Sequence, residues 1–258
     1  MESNTLMRRA LVNTLLAVAL LVSGLAQANA FAGTKAPAVI FLDINETLLN
    51  LEPMRVSVGQ ALGGRPDLLS LWFSTMLHYS LVETSIEQYH DFGSVGTAAL
   101  MMVAQAHGIN LTEAAARAAV VEPITRLPAH ADVRPGLQIL RDKGNTLVAL
   151  TNSSRRAVQA QMLFAGLDDL ISDYLSSESL ESYKPNLAVY KWASKQRGVA
   201  PEDALLVAAH GWDIAGAKRA GLRTAFVSRP GQSLYPLVAS SDYVVKDIEA
   251  LAKALPPR

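Results

Sequence analysis

Short apolar runs separated by segments of helical spacing constrain the fold of this chain more than any other feature. The runs AVIFL, TLVAL, ALLVAA, TAFVS and YVV lie before Asp43, before Thr151, before His210, after Arg223 and after Asp242. Runs of about five residues without polar alternation are typical of strands buried on both faces, as in a parallel sheet covered by helices. We therefore predict an α/β fold, a Rossmann-like parallel sheet with helices on both faces.

The segments between those runs carry helix signals. RPGLQILRDKG and SRRAVQAQMLFAGL have apolar residues three and four positions apart, and their glycines Gly144 and Gly166 are good helix stops. Strands and helices therefore alternate along the chain. An open sheet of this kind binds its ligand in the crevice beyond the carboxyl ends of the strands.

One interval, residues 51–127, breaks this alternation. It contains helical patterns such as LLSLWFSTMLHYSLV and VGTAALMMVAQAHGI and no convincing strand. An all-helical insertion after the first strand predicts a cap that lies over the edge of the sheet, with residues 31–50 and 128–258 forming the α/β core. The alternative is a helical subdomain that has no role at the site.

The first thirty residues have the pattern of a secretory signal peptide. Arg8 and Arg9 precede an uncharged apolar stretch that ends in Ala28-Asn29-Ala30, a small-x-small cleavage site. We expect residues 1–30 to be removed after Ala30, which leaves a periplasmic or secreted protein without a membrane segment. An uncleaved anchor and a misplaced start codon are the alternatives.

The composition excludes several classes of function. Half of the 258 residues are hydrophobic and 18% are charged, as expected for a globular protein with a sizeable core. The 23 basic and 23 acidic side chains balance, so there is no electrostatic signature of binding to nucleic acid or to an anionic membrane. There is no cysteine, which excludes disulfides, thiolate catalysis and cysteine-ligated metal sites. The sequence leaves open whether the protein is a monomer or a homodimer.

Polar clusters follow three of the predicted strands. Each alone could cap a turn or lie in solvent. In a parallel sheet, however, they converge with a loop lysine on one crevice, and together they form a plausible set for nucleophilic catalysis by a carboxylate. The clusters are Asp43-x-Asn45-x-Thr47, Thr151-Asn152-Ser153 and His210-Gly211-Trp212-Asp213, and the lysine is Lys184.

These motifs resemble the haloacid dehalogenase superfamily, and within it the type II L-2-haloacid dehalogenases. The resemblance covers about residues 38–231 and rests on FLDINETLL, the helical stretch LWFSTMLHYSLVETSIEQYHDFGSV, LTNSS, YKPNLAVY and HGWDIAGAKRAGLRTAFVSRPG. The spacing from Lys184 to Tyr190 and the Trp212-Asp213 pair match that branch well. The Asp-x-x-x-Thr pattern alone would be weak.

The resemblance implies an enzyme in which an aspartate attacks an electrophilic centre and forms a covalent ester, which water then hydrolyses. Asp43 falls on the nucleophile and Thr47 on a residue that helps to orient it. Lys184 falls on the lysine that pairs with the nucleophile. Asp213 falls on the acid that supports the hydrolytic water. The implied substrate is a small 2-haloalkanoic acid.

The resemblance also places residues in the pocket of the substrate. Thr151 and Asn152 fall on the second motif, which contacts substrate and, for the asparagine, the departing halide. Tyr190 falls on a pocket residue. We expect Phe73 of the cap to face the crevice as well, because a cap that closes over a small apolar substrate needs such lining.

Asn45 bears on the leaving group. Phosphatases of the superfamily have a second aspartate there, which protonates the alkoxide leaving group, and asparagine cannot do so. Halide leaves without protonation. The position that would supply a further acid for Mg²⁺ is Ala209, which leaves only Asp213 in that motif. We therefore expect a metal-independent site without a cofactor, in which Lys184 supplies the positive charge.

Three departures from the family pattern bear on the substrate, the first being Asn45, where the better-known members have tyrosine. Phe73 stands where the dehalogenases carry an arginine that helps to bind and expel halide, and Ala208 and His210 replace a serine and an asparagine. Neutral His210 could orient or deprotonate the water that cleaves the ester, or it could only replace a hydrogen bond of the asparagine. The alternative functions are a phosphatase of the same fold and a non-catalytic exported binding protein.

Overall fold

A six-stranded parallel sheet organises the part of the chain that the computed structural model describes, residues 35–258. The predicted signal peptide lies outside these residues. The spatial order is β3-β2-β1-β4-β5-β6, so β1 and β4 lie side by side in the middle. The strands are β1 (Val39–Leu42), β2 (Leu147–Thr151), β3 (Asp173–Ser176), β4 (Ala204–Ala208), β5 (Arg223–Val227) and β6 (Tyr243–Val245).

Nine α-helices accompany the sheet within residues 35–258. Short 3₁₀ helices connect several of them. In the described part of the chain, no helix combines the length and apolar character needed to cross a membrane. The α-helices are α1 (Met54–Ala61), α2 (Leu69–Ser85), α3 (Phe92–Ala106), α4 (Glu113–Val120), α5 (Val133–Asp142), α6 (Arg155–Phe164), α7 (Leu187–Gln196), α8 (Gly211–Arg219) and α9 (Ile248–Ala254).

The predicted α/β fold is confirmed, and each of the five predicted apolar runs overlaps a strand. Strand β3 was not predicted. It lies at the edge of the sheet, where Asp173 and Tyr174 are only partly buried, so its sequence DYLS lacks the continuous apolar run of a central strand. The predicted helix stops hold, since Gly144 and Gly166 follow α5 and α6 with φ of 84° and 65°.

The segment between β1 and β2 is helical, as expected: α1 to α5 lie there, and none of the six strands does. The Trp72 indole N–H donates to the Gly96 carbonyl at 2.8 Å, which ties α2 to α3. A Cβ atom on Gly96 would lie 2.7 Å from the Met76 sulfur, so the glycine allows α2 and α3 to pack closely without displacing that side chain. The cap boundaries at 51 and 127 stay predictions.

Candidate active site

The carboxyl ends of β1, β2 and β4 meet at one small cavity. Its volume is about 20 Å³. Seven of the ten predicted site residues line it, and Thr47, Asp213 and Tyr190 lie behind them, each wholly buried. The cavity is lined by Asp43, Asn45, Phe73, Leu77, Phe92, Thr151, Asn152, Lys184, His210 and Trp212.

Asp43 directly follows β1, and both of its carboxylate oxygens have donors. Oδ1 accepts a bond of 2.8 Å from the Lys184 ammonium. Oδ2 accepts a bond of 2.6 Å from the Thr47 hydroxyl, whose oxygen in turn accepts from the Ala209 N–H at 2.8 Å. Because Ala209 occupies the hydroxyl oxygen as a donor, the hydroxyl proton of Thr47 is directed at Asp43. Thr47 therefore orients Asp43, as predicted, from a position outside the cavity.

Lys184 connects the two aspartates of the site. Its Nζ lies 2.8 Å from Asp43 Oδ1 and 2.6 Å from Asp213 Oδ2. Only 1% of the Lys184 side chain is exposed, so this ammonium is held by its two ion pairs in place of water.

Tyr190, which the resemblance places in the pocket, is not among the residues that line the cavity. Its hydroxyl donates to Asp213 Oδ1 at 2.6 Å, and the ring is wholly buried. A Cβ atom on Gly216 of α8 would lie 2.7 Å from this hydroxyl, so the glycine makes room for the ring. Tyr190 thus holds Asp213 instead of contacting the cavity.

His210 lies between two carboxylates. Nδ1 is 3.1 Å from Asp43 Oδ2, and Nε2 is 2.9 Å from Glu46 Oε2. Ionised carboxylates only accept hydrogen bonds, so both ring nitrogens carry a proton and the ring is an imidazolium. Burial lowers the pKa of His210, but the bonds to Asp43 and Glu46 outweigh it and raise the pKa to about 9. The neutral imidazole expected for a general base is therefore not the resting form.

The same contacts set the protonation of the aspartates. Burial alone would raise the pKa of Asp43, but the charge of Lys184 and the His210 ring hold it well below its usual range. Burial and the neighbouring Asp43 raise the pKa of Asp213 despite Lys184 and Tyr190. Asp43 is thus the ionised nucleophile candidate, and Asp213 is the better proton acceptor of the two.

The side-chain amide of Asn45 takes no part in acid–base chemistry, and both of its ends are hydrogen-bonded. Its Oδ1 accepts from Gln161 Nε2 at 2.9 Å, and its Nδ2 donates to the Ser153 hydroxyl at 3.3 Å. Gln161 also donates to the Ile124 carbonyl, so it is itself fixed. The asparagine lines the cavity as a neutral wall.

Thr151 and Asn152 line the cavity next to Lys184. Asn152 Oδ1 accepts from the Lys184 backbone N–H at 2.8 Å and from the Ser177 hydroxyl at 3.2 Å. Asn152 therefore positions the lysine loop. Thr151 Oγ1 accepts from the Ser153 N–H at 3.1 Å, which leaves the hydroxyl proton of Thr151 as a donor.

Aromatic rings form the wall opposite the strand ends. Phe73 lies 6.4 Å from His210 between ring centroids, and Trp212 stacks on His210 at 5.0 Å. The Trp212 indole N–H is buried and has no hydrogen-bond partner among residues 35–258. Leu77, Lys184 and Trp212 also line a second cavity of about 270 Å³, so they form the wall between the two.

The donor set fits a bound Mg²⁺ poorly. The Lys184 ammonium bonds to both Asp43 and Asp213, and Asn45 and Ala209 supply no further carboxylate. Within residues 35–258 no group of three or more acidic or histidine side chains is arranged to hold a metal ion. A hard divalent cation would have to displace the ammonium and would find too few anionic oxygens.

Three contributors to the site were not predicted. Glu46 gives no local signal, because its role depends on a histidine 164 positions away. Gln161 is a helix residue that reaches Asn45 only in the folded chain. Trp212 was noted as part of the cluster after β4 and of the family match but was given no role, although its place at the start of α8 was a usable signal.

Comparison with known proteins agrees with this geometry. The family model of the haloacid dehalogenase-like hydrolases matches residues 37–221. The chain therefore belongs to the haloacid dehalogenase-like hydrolases.

Two individual relatives are haloacid dehalogenases. The chain is 27% identical over 217 residues to (S)-2-haloacid dehalogenase 2 of Pseudomonas sp. (strain CBS-3), covering 84% of this chain and 94% of the relative. It is 26% identical over 189 residues to haloacetate dehalogenase H-2 of Moraxella sp. (strain B), covering 73% and 84%.

A solved structure has the same fold. L-2-haloacid dehalogenase from Xanthobacter autotrophicus, with chloropropionic acid covalently bound, superposes with a TM-score of 0.79 at 22% identity. It covers 84% of this chain and 97% of that one.

Proposed function

We propose that this protein hydrolyses small 2-haloalkanoic acids, with Asp43 as the nucleophile. The observation that carries the proposal is the pairing of a buried, ionised Asp43, held at Oδ1 by Lys184, with an amide at position 45 in place of an acid. Such a site can displace a good leaving group at carbon but cannot protonate a poor one. The related haloacid dehalogenases support the same substrate class.

The reaction has two steps. An Asp43 oxygen attacks the carbon that carries the halogen, the carbon–halogen bond breaks, and halide leaves with the bonding electrons. Water then adds to the Asp43 carbonyl carbon, the bond from that carbon to the ester oxygen breaks, and the 2-hydroxy acid leaves. One water proton ends on the product hydroxyl and the other passes to solvent, while Asp213 supports the water only indirectly, by holding Lys184 from behind the cavity lining.

The remaining cavity residues divide between the ends of the substrate. The Thr151 hydroxyl and backbone N–H groups after Asp43 bind the substrate carboxylate. The halide leaves towards the Asn152 amide and the Trp212 indole N–H, beside Phe73. The cavity of about 20 Å³ has room for about one water molecule, so binding of even a small haloacid requires its walls to move apart.

The phosphatase alternative fails on two features of the same site. The Asn45 amide is bonded to Gln161 and Ser153 and has no titratable proton for an alkoxide. Lys184 bonds to both aspartates that a metal would need.

The test is a substrate panel with purified protein. Chloroacetate, 2-chloropropionate and their bromo analogues are incubated with and without EDTA beside a set of phosphomonoesters, and halide and phosphate release are followed. We expect halide release that EDTA does not change. Phosphate release that requires Mg²⁺, without halide release, would overturn the proposal. No turnover of either class would support a non-catalytic binding protein.

We also propose export, on the pattern of residues 1–30 alone. Determining the N-terminus of the protein from a periplasmic fraction tests it, since cleavage after Ala30 leaves Phe31 first. A full-length N-terminus in the membrane fraction would favour an anchor. The homodimer stays an open prediction.

A further inference from the structure

Glu46 occupies a backbone conformation that favours glycine. Its φ is 60°, in the left-handed region that residues with a Cβ atom rarely adopt. Glu87 and Glu181 share that feature with φ of 56° and 47°, but Glu46 alone of the three contacts the cavity-lining His210. A strained conformation next to a reactive carboxylate indicates a role beyond the turn itself.

The Glu46 side chain has one main partner. Oε2 lies 2.9 Å from His210 Nε2, and Gln232 Nε2 is a more distant donor at 3.4 Å. The other His210 nitrogen faces Asp43 Oδ2 at 3.1 Å. Asp43, His210 and Glu46 thus form a chain of three charged groups that ends at the nucleophile.

We propose that Glu46 is a positioning residue for hydrolysis of the Asp43 ester, because it keeps the Nδ1–H of His210 directed at Asp43 after the carboxylate has become an ester. This inference rests on the proposed function. Once Asp43 is esterified it carries no charge, and Glu46 is then the remaining carboxylate in contact with the ring.

The Nδ1–H has a use in the second step. When water adds to the Asp43 carbonyl carbon, negative charge develops on the oxygen of that carbonyl. A charged N–H donor about 3 Å from this oxygen stabilises the tetrahedral intermediate. The intermediate then releases the 2-hydroxy acid, and Asp43 returns to its ionised form. His210 donates a hydrogen bond throughout and is not consumed.

After Asp43 has become an ester, the charges around the His210 ring leave Glu46 as the carboxylate that keeps the ring protonated. The charged or titratable groups that face it are Asp43 and Glu46 in direct contact, Lys184 and Asp213 beyond Asp43, and His130 and Arg229 against the backbone of the turn that carries Glu46. Lys184 and Arg229 oppose a second positive charge, so the two carboxylates in direct contact sustain it.

Two substitutions separate charge from backbone. Glu46→Gln keeps an acceptor for Nε2–H but removes the charge, and Glu46→Gly removes the side chain while relieving the left-handed strain. Glu87→Gly is the matched control, since it makes the same backbone change at an exposed turn residue. We expect all three proteins to fold.

The kinetic test follows the two steps separately with 2-chloropropionate at pH 8. We expect both Glu46 variants to release halide in a burst of about one per site and to accumulate the Asp43 ester, seen as a mass increase of its peptide. Steady-state turnover falls at least tenfold, and Glu87→Gly matches wild type. Unchanged turnover in both Glu46 variants, with halide release intact in wild type, would overturn the inference.

A readout without substrate keeps the two proposals apart. ¹⁵N NMR of the His210 ring, titrated with pH, should show a midpoint at least one pH unit lower in Glu46→Gln than in wild type. An unchanged midpoint would overturn the role of Glu46 even if no haloacid were turned over. Absence of halide release by wild type, with the midpoint shifted, would instead remove the proposed function.

Discussion

The two oxygens of the Asp43 carboxylate face different halves of the site. On the Oδ1 side, Lys184, Asp213 and Tyr190 are almost wholly buried and joined by bonds of 2.6 to 2.8 Å. On the Oδ2 side, His210 is buried but its second partner, Glu46, has 24% of its side chain exposed. The first half fixes the nucleophile, whereas the second places a titratable cation beside it.

The two halves differ in whether their positive charge can be lost. The Lys184 ammonium lies between two carboxylates, so its pKa is raised despite its burial and it stays charged at any working pH. His210 owes its charge to two carboxylates, one of which disappears during the reaction. Removing the cation of the first half should therefore nearly abolish turnover, whereas removing a charge of the second half should slow ester hydrolysis and change its pH dependence.

The largest expected effect is at the nucleophile that both halves share. Asp43→Asn should lower turnover of 2-chloropropionate by at least about 10⁴-fold, because an amide cannot form the ester. Thermal unfolding monitors whether the fold is kept. Turnover within tenfold of wild type would move the nucleophile elsewhere.

The next largest effect is expected at Lys184, the centre of the first half. Lys184→Met leaves Asp43 and Asp213 without their shared cation, so we expect unfolding to require about 3 to 5 kcal/mol less at pH 7. The deficit should shrink towards pH 5, since protonation of one carboxyl relieves the repulsion. Urea unfolding at both pH values checks this, and equal deficits would contradict the buried pairing. Halide release should fall by about 10³-fold.

In the second half, the charge of His210 should make the stability of the protein depend on pH. The pKa of His210 is about 9 in the folded protein and near 6.5 when unfolded. The raised value contributes stability that is present below pH 6.5 and lost as pH rises through 9, by about 3 kcal/mol in total. Urea unfolding of wild type and His210→Asn from pH 6 to 9.5 should show this loss in wild type only. Parallel curves would argue for a neutral ring.

The smallest effect is expected beneath Asp213. Tyr190→Phe removes one hydrogen bond to a buried carboxylate, which corresponds to about 2 kcal/mol of stability. Turnover should fall about tenfold and KM should stay near the wild-type value, because the ring does not reach the cavity. A change mainly in KM would restore Tyr190 to the pocket.

The features that could be predicted from the sequence are those that follow from local patterns. The parallel sheet, the helical insertion and the convergence of Asp43, Thr151 and Lys184 follow from apolar runs and from polar residues at strand ends. Glu46 and Gln161 were missed because their contacts join residues more than a hundred positions apart, with no local pattern.

The contact of Tyr190 with Asp213 could not be predicted for a different reason. Family resemblance indicates that a residue belongs to the site, but which side of Asp213 it occupies depends on packing against Gly216. The edge strand β3 was missed because partial exposure removes the apolar run that marks the central strands.

The covalent ester at Asp43 is the central claim, and isotope transfer tests it most directly. Enzyme in excess over 2-chloropropionate completes one turnover in H₂¹⁸O, and the peptide that contains Asp43 is analysed by mass spectrometry. Because water adds to the Asp43 carbonyl carbon, one ¹⁸O atom should enter Asp43 and the lactate formed should carry ¹⁶O. Label in the lactate, with an unlabelled Asp43 peptide, would show direct attack by water and would contradict the account.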